Sequence, residues 1–264
     1  VPTTPPSHHS DSPRGGRTAV VLVAAGSGTR LGRAMPKAAV PVAGVPMLER
    51  AIASVAAALP EAQIVAVLPA GDASLWQLCA SIAAAPHDDG APRSNLVAVA
   101  GGATRNDSVR AGLAAIGDAD HVLVHDAARC LTPPAVFAAV VDALTAGARA
   151  VVPALPVVDT IKAVRAAPDA SIAAEAVEST PPRSGLRAVQ TPQGFRRDVL
   201  VAAQRQVAAW PAARAETVTD DALLMEMLGE DVYLVPGDER ALKITTELDL
   251  MLAEALIAAG EEHS

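Results

Sequence analysis

Aromatic residues make up only 2% of this 264-residue chain: Trp76, Phe137, Phe195, Trp210 and Tyr233. They are scattered, which leaves no platform on which nucleic-acid bases could stack. Basic residues are outnumbered, 21 Lys and Arg against 29 Asp and Glu, for a formal charge of −8. A nucleic-acid partner would want a basic stripe, so that class is set aside. Any anionic ligand must be met by a few local cations. Cysteine is nearly absent: Cys79 and Cys130 are too few for a disulfide framework and lack zinc-ligand spacing. No apolar run approaches the ~18 residues of a membrane span. The opening VPTTPPSHHSDSPRGGRT has no apolar core, so residues 1–18 are expected to be a disordered lead-in rather than a secretory signal. A cytoplasmic protein is the expectation.

Hydrophobic residues, by contrast, reach 51%, enough for one sizeable domain, expected over 19–259. AVVLVAA (19–25) is a continuous apolar run ending at glycines, as a strand buried on both faces would be. Further strands are predicted at 63–69, 96–100, 121–126, 149–155 and 232–236. Helices are predicted at 47–59, 73–85, 107–116, 134–146, near 197–209, at 220–228 and at 247–259. This alternation implies an α/β fold with a mainly parallel sheet and helices on both faces. Ligands in such sheets sit outside the carboxyl ends of the strands. The junctions at 26–37, 101–108, 125–130 and 156–162 are therefore of interest. Residues 156–190 break the rhythm, and a protruding β-arm is expected there, since a structureless loop of that length is uncommon in a compact domain.

The stretch LVAAGSGTRLG (22–32) fits neither familiar glycine loop. A dinucleotide loop reads G-x-G-x-x-G, but Gly26, Gly28 and Gly32 put the third glycine one place late. A Walker A loop needs Gly-Lys-Ser/Thr, and Gly32 is followed by Arg33. What remains is a loop of small residues whose backbone N–H groups can approach a phosphate chain, with Arg30 and Lys37 on the same stretch. Such a loop suits a triphosphate attacked at its α-phosphorus, where preorganised cations stabilise the charge that grows on the equatorial oxygens. A tight turn carrying two solvated cations is the alternative. Lysine is scarce, with only Lys37, Lys162 and Lys243 among the 21 basic residues, and each falls beside a strand end or turn. No Ser-His or Cys-His pair suggests itself.

With Leu22–Lys37, GGATRNDSV (101–109), HDAAR (125–129), DTIK (159–162), TPQGF (191–195), VTDDA (218–222) and LKITTELDL (242–250) in this order, the chain resembles the 2-C-methyl-D-erythritol 4-phosphate cytidylyltransferases of non-mevalonate isoprenoid synthesis. The resemblance spans roughly residues 19–258. It implies a Rossmann-like nucleotidyltransferase fold, a homodimer in which one arm (156–190) reaches over the partner's site, and a reaction of CTP with methylerythritol 4-phosphate that requires Mg²⁺. By position, Arg30 and Lys37 match the family's transition-state stabilisers. Ala24, Ala25, Gly26, Gly28, Gly102 and Ser108, with Arg105 nearby, match the nucleotide site. Asp126, Arg129 and Thr191 match residues that hold the methylerythritol. Thr160 and Arg183 match arm residues that grip its phosphate. Thr219 and Lys243 match positions of the same pocket, Lys243 the cation that orients the attacking phosphate.

The chain departs from the family pattern in places. KAAVPVAG follows Lys37 where a Gln and an aromatic are common. Gly194 replaces a bulkier residue, which is expected to loosen the pocket wall. Cys130 follows HDAAR directly, and if exposed beside Arg129 its thiolate would be favoured. His125 is expected to pack or cap rather than do chemistry. A ribitol 5-phosphate or sugar-phosphate nucleotidyltransferase fits the glycine loop equally, and a non-catalytic nucleotide-binding regulator is a reading from another class.

Overall fold

The computed structural model describes residues 16–26, 35–85, 95–166, 174–215 and 217–261. Of the expected tail 1–18, residues 1–15 lie outside the described residues, as do Gly28 and Arg30, while Thr18 already belongs to the first strand. The first strand, β1 (Thr18–Val23), is followed by a short antiparallel pair, β2 (Pro41–Val42) and β3 (Val45–Pro46), then α1 (Met47–Ala58). Alternation continues through β4 (Gln63–Leu68), α2 (Ala73–Ala84), β5 (Leu96–Ala100), α3 (Arg105–Ala114), β6 (His121–Asp126), α4 (Pro134–Thr145) and β7 (Ala150–Pro156). An antiparallel hairpin, β8 (Ala163–Ala166) with β9 (Glu175–Ser179), forms a sheet of its own within the expected arm. The chain then rejoins the main sheet as β10 (Arg187–Val189) and β11 (Gln193–Arg196). It closes with α5 (Arg197–Ala208), α6 (Ala212–Ala215), α7 (Asp221–Met227), β12 (Tyr233–Pro236) and α8 (Glu247–Glu261).

The main sheet has the order β10-β7-β11-β6-β1-β4-β5, with β12 also on β7. The pairs β6·β1, β1·β4, β4·β5 and β7·β12 are parallel. β11 runs antiparallel to both β6 and β7, and β10 antiparallel to β7. The sheet is thus mixed around a parallel core. Sequence patterning does not reveal β2, β3 or β11, and the arm expected over 156–190 is shorter, since β10 pairs with β7 in the main sheet.

Alternation along β1 explains the layers. Val20 and Leu22 face a core shared with Leu48 and Ile52 of α1, Leu75 of α2, Phe137 and Val140 of α4 and Leu250 of α8. Ala19 and Val21 face the other way, into a core with Val109 of α3, Leu200 and Val207 of α5 and Leu224 of α7. A strand covered on both faces needs apolar residues at every position, which is why 19–23 reads as an unbroken run. From β1 the chain steps outward to β4 and β5, then returns to lay β6 on the other side of β1. The carboxyl ends of β1 and β6 therefore flank a topological switch point, where open α/β sheets form their ligand crevice.

Candidate active site

The register pairs Val23 with Asp126, so both strands end at the same level. There a cavity of 450 Å³ opens. Ala24, Ala25 and Gly26 continue β1 into its wall; Lys37 follows on a short 3-10 turn. Gly102, Arg105 and Ser108 line it from the start of α3, Asp126 from the end of β6, and Lys243 from the segment before α8. A larger cleft of 670 Å³ lies by the opposite strand ends, between His121, Arg196 and Arg205, roughly 17 Å away along a six-residue strand. It gathers none of the motif residues, so we assign the chemistry to the smaller cavity.

The glycine pair before α3 is there for close approach. A Cβ on Gly101 would stand 2.5 Å from Ala25 Cβ, and one on Gly102 2.2 Å from Asp107 Cβ. Thr104 and Asp107 then close a capping box, each bonding the other's backbone N–H, which starts α3 at Arg105 rather than at the expected 107. Ser108 is buried; its hydroxyl accepts from Gly102 N–H (3.2 Å) and donates to Thr104 O (3.0 Å), so it braces the glycine turn.

Charge in the cavity is arranged around Asp126. Lys243 Nζ stands 2.6 Å from Asp126 Oδ2. Burial opposes charge on this carboxyl, but Lys243, Arg105 and Arg129 outweigh it and hold its pKa below the ordinary value. Two backbone anchors bring Lys243 there. Ile244 N–H donates to Ala128 O (2.9 Å), and Arg129 Nη1 donates to Ala241 O (2.6 Å). Arg129 thus ties the Lys243 segment to the end of β6. At the head of α8, Asp249 takes N–H bonds from Thr245 and Thr246. Bonding led by the Thr245 hydroxyl lowers its carboxyl to about 2.

Thr191 lies beneath Asp126 and does not line the cavity. Its Oγ1 accepts from Asp126 N–H at 3.1 Å and lies 2.9 Å from His125 Nδ1. The hydroxyl, with one donor and two acceptor sites, thus joins the Asp126 amide to the imidazole. His125 is fully buried, its ring 5.0 Å from that of Phe137 at 63°, and burial lowers its pKa to about 4. It packs, as expected, and stays neutral at physiological pH.

Arg105 is held from behind by a residue that sequence reasoning missed. Its Nη1 lies 2.7 Å from Oδ2 of Asp221, whose side chain is wholly buried at the start of α7. Asp221 Oδ1 also accepts from Gln204 Nε2 of α5 (3.1 Å). The neighbouring Asp220 caps α7 through Leu223 N–H and accepts from Gln193 Nε2 of β11 (2.7 Å). VTDDA carries both acids, yet only Thr219 stands out by resemblance. Asp220 as a helix cap is the legible signal; a carboxylate buried one residue later is not.

Like Thr191, Arg129 is not among the cavity-lining residues, and three more expected residues lie elsewhere. Thr160 and Arg183 are exposed on the arm, and Arg183 Nη1 donates to Val158 O (2.6 Å). Thr219 is exposed just before α7. None of the three lines the cavity of this chain. Two readings of the departures change. Cys130 is buried, and burial pushes its thiol up to about 11, so proximity to Arg129 does not activate it. Gly194 does not loosen the pocket wall: it sits in β11 under α4, where a Cβ would stand 2.3 Å from Val140 Cγ1.

The sequence profile of one family, "2-C-methyl-D-erythritol 4-phosphate cytidylyltransferase" (IspD), matches residues 18–259. A curated protein of that name from Nocardia farcinica is 49% identical over 94% of this chain and 97% of its own length. Another from Streptomyces avermitilis is 46% identical over 94% of each. Among solved structures, the 2-C-methyl-D-erythritol 4-phosphate cytidylyltransferase from Thermus thermophilus is similar with a TM-score of 0.66 and 34% identity, covering 91% of this chain and 98% of that one. The 4-diphosphocytidyl-2C-methyl-D-erythritol synthase from Anaerococcus prevotii reaches a TM-score of 0.73 at 27% identity, covering 92% and 99%.

Proposed function

Because the chain belongs to the 2-C-methyl-D-erythritol 4-phosphate cytidylyltransferase family, we propose that it transfers CMP from CTP to 2-C-methyl-D-erythritol 4-phosphate, releasing pyrophosphate. The observation that carries this reading at the site is charge. Among the described lining residues, Lys37, Arg105 and Lys243 face a single carboxylate, Asp126, in a protein whose formal charge is −8. A cationic cavity at the switch point of an acidic protein is built for an anionic ligand.

In the reaction a phosphate oxygen of the acceptor attacks the α-phosphorus of CTP. The new O–P bond forms as the bond to the bridging α,β-oxygen breaks, and its electron pair leaves with pyrophosphate. The nucleophile is already anionic, so no general base is needed. Lys37, with Arg30 seven residues before it in the sequence, meets the charge that grows on the α-phosphoryl oxygens. Lys243, pinned by Asp126, meets the acceptor phosphate and sets its line of attack. Asp126 and Arg129 frame the acceptor, and Thr191 acts through the Asp126 backbone. The bare face of Gly26, where a Cβ would meet nothing within 4 Å, lets the nucleotide lie against the main chain.

Mg²⁺ fits as a passenger on the triphosphate. Among the described residues no group of three or more His, Cys, Asp or Glu could hold an ion, and the one lining carboxylate is engaged by Lys243. Mg²⁺ favours phosphate oxygens and retained waters over an all-protein cage, so the triphosphate would hold it while Asp126 stays with Lys243. When bound, it neutralises triphosphate charge. The reading also carries a homodimer. The hairpin β8–β9 forms its own sheet, Val158, Val164 and Val177 are exposed on the arm, and Thr160 and Arg183 do not reach this chain's own cavity. A second copy would cover the valines and receive those two side chains. Among the described residues no helix is long and apolar enough to cross a membrane, and the cytoplasm is the compartment we propose.

The test is pyrophosphate release with CTP, ATP, GTP and UTP in turn, Mg²⁺ present, with and without methylerythritol 4-phosphate. Release that needs both CTP and this acceptor is expected. Release with ribitol 5-phosphate instead would move the acceptor while keeping the chemistry. CTP binding without release for any acceptor would make the chain a regulator.

A further inference from the structure

Asp221 is the most deeply buried charge in the neighbourhood of the cavity. Its side chain is 0% exposed, while that of Arg105, its partner at 2.7 Å, is 27% exposed and lines the cavity wall. Desolvating a carboxylate is costly, and an ion pair seldom repays the cost in full. Consistently, burial pushes the Asp221 carboxyl up, and Arg105 offsets this only in part. Joining α3 to α7 does not require charge, since two apolar side chains would hold these helices at least as firmly. Among the described residues, the pair stands at the one place where a guanidinium lines the proposed nucleotide site.

A second carboxylate makes the placement informative. Arg105 and Asp126 line the same cavity, where Asp126, after Asp221, favours the charged guanidinium, while Asp126 is already bound to Lys243. Released from Asp221, the guanidinium would turn to Asp126 and compete with Lys243 for it. Asp221 cannot follow such a movement, because Gln204 Nε2 holds its other oxygen and Asp220, the cap of α7, precedes it.

We infer that Asp221 is a positioning residue for nucleotide binding: from beneath the cavity wall it fixes Arg105 toward the nucleotide and keeps it off the Lys243–Asp126 pair. The inference deepens the function proposed above and rests on it. Asp221 itself touches no substrate; it acts through Arg105.

The test is a double-mutant cycle read by calorimetric titration of the full-length protein with CTP and Mg²⁺, on wild type, Asp221→Asn, Arg105→Gln and the double variant. Asp221→Asn is expected to weaken CTP binding roughly tenfold, within the range of coupling between contacting residues. In the Arg105→Gln background the same change is expected to add nothing. A purely structural defect would lower the fraction of binding-competent protein and leave Kd unchanged in that fraction. If Asp221→Asn does not fold, Asp221→Glu keeps the charge but displaces it by one methylene, and weaker CTP binding at full stoichiometry is expected. Wild-type affinity in the folded single variant, or an equal loss in both backgrounds, overturns the inference. Wild-type protein that binds no CTP overturns the functional reading itself, a result seen before any variant is made.

Discussion

Lys243 and Asp126 stand 2.6 Å apart at the mouth of the cavity, the one from the segment before α8 and the other from the end of β6. They are 117 residues apart in sequence (243 − 126), and the pairing exists because Ile244 and Arg129 stitch the two segments together. The pair orients the cation while leaving the cavity a net excess of positive charge.

A pH prediction comes from this pair. Asp126 has its pKa held down against burial, chiefly by Lys243. Removing that cation in Lys243→Met lets the carboxyl rise. The ratio of variant to wild-type kcat/KM for the acceptor is therefore expected to fall as the pH is lowered, on top of a pH-independent loss on the order of 10²–10³. Taking the ratio cancels the ionisation of the substrate phosphate. A ratio that is flat with pH would uncouple the two residues.

Lys37 carries a different prediction. As a cation meeting charge present only in the transition state, it should affect turnover more than binding. Lys37→Ala is expected to lower kcat by about 10²–10³ with little change in CTP affinity. Circular dichroism would establish that the variant is folded. Near-normal kcat would remove Lys37 from the chemistry.

His125 predicts how the fold responds to acid. Its folded pKa is about 4 against an ordinary 6.5, burial being the main cause. The unfolded chain therefore takes up a proton between pH 6.5 and 4 that the folded chain refuses. Stability is full above 6.5 and is lost as pH falls toward 4, by up to about 3 kcal/mol. His121, also lowered by burial, adds to the same slope. Urea unfolding at pH 7, 6, 5 and 4.5 should show the decline, and His125→Asn should flatten most of it whatever its stability at pH 7. An unchanged slope in the variant would reassign the effect.

Much of the scaffold is legible in the sequence because burial on both faces leaves a continuous apolar signature. The strand expected at 121–126 is β6 residue for residue, and α1 and α4 end within a residue of expectation. β11 is not legible. Gln193, Gly194, Phe195 and Arg196 show no alternation, and they form a strand because β6 and β7 offer open edges on either side. At the site, Lys37, Asp126 and Lys243 are legible because each follows a strand end or a turn. Asp221, Gln193 and Gln204 are not, since a polar residue buried by a distant partner looks in sequence like one bound for solvent. Thr191 shows the converse: it resembles a ligand-facing hydroxyl, and the structure spends that hydroxyl on Asp126 and His125.

Gly194 turns one of these differences into a measurement. A Cβ there would lie 2.3 Å from Val140 Cγ1 and 2.9 Å from Leu144 Cδ1, both from buried side chains of α4. Val140 is branched at Cβ and Leu144 is packed in the same core, so neither can yield without shifting the helix. Gly194→Ala is therefore expected to cost about 1–3 kcal/mol by overpacking. Because the residue faces α4 and not the cavity, KM for CTP and kcat per folded molecule should be unchanged. Adding Val140→Ala makes room for the new methyl and should recover part of the lost stability, although Val140→Ala alone is destabilising; this sign reversal marks a direct contact. Chemical denaturation of the four proteins measures it. A Gly194→Ala protein of normal stability, or one of lowered stability whose KM for CTP rises, would put Gly194 back in the pocket wall.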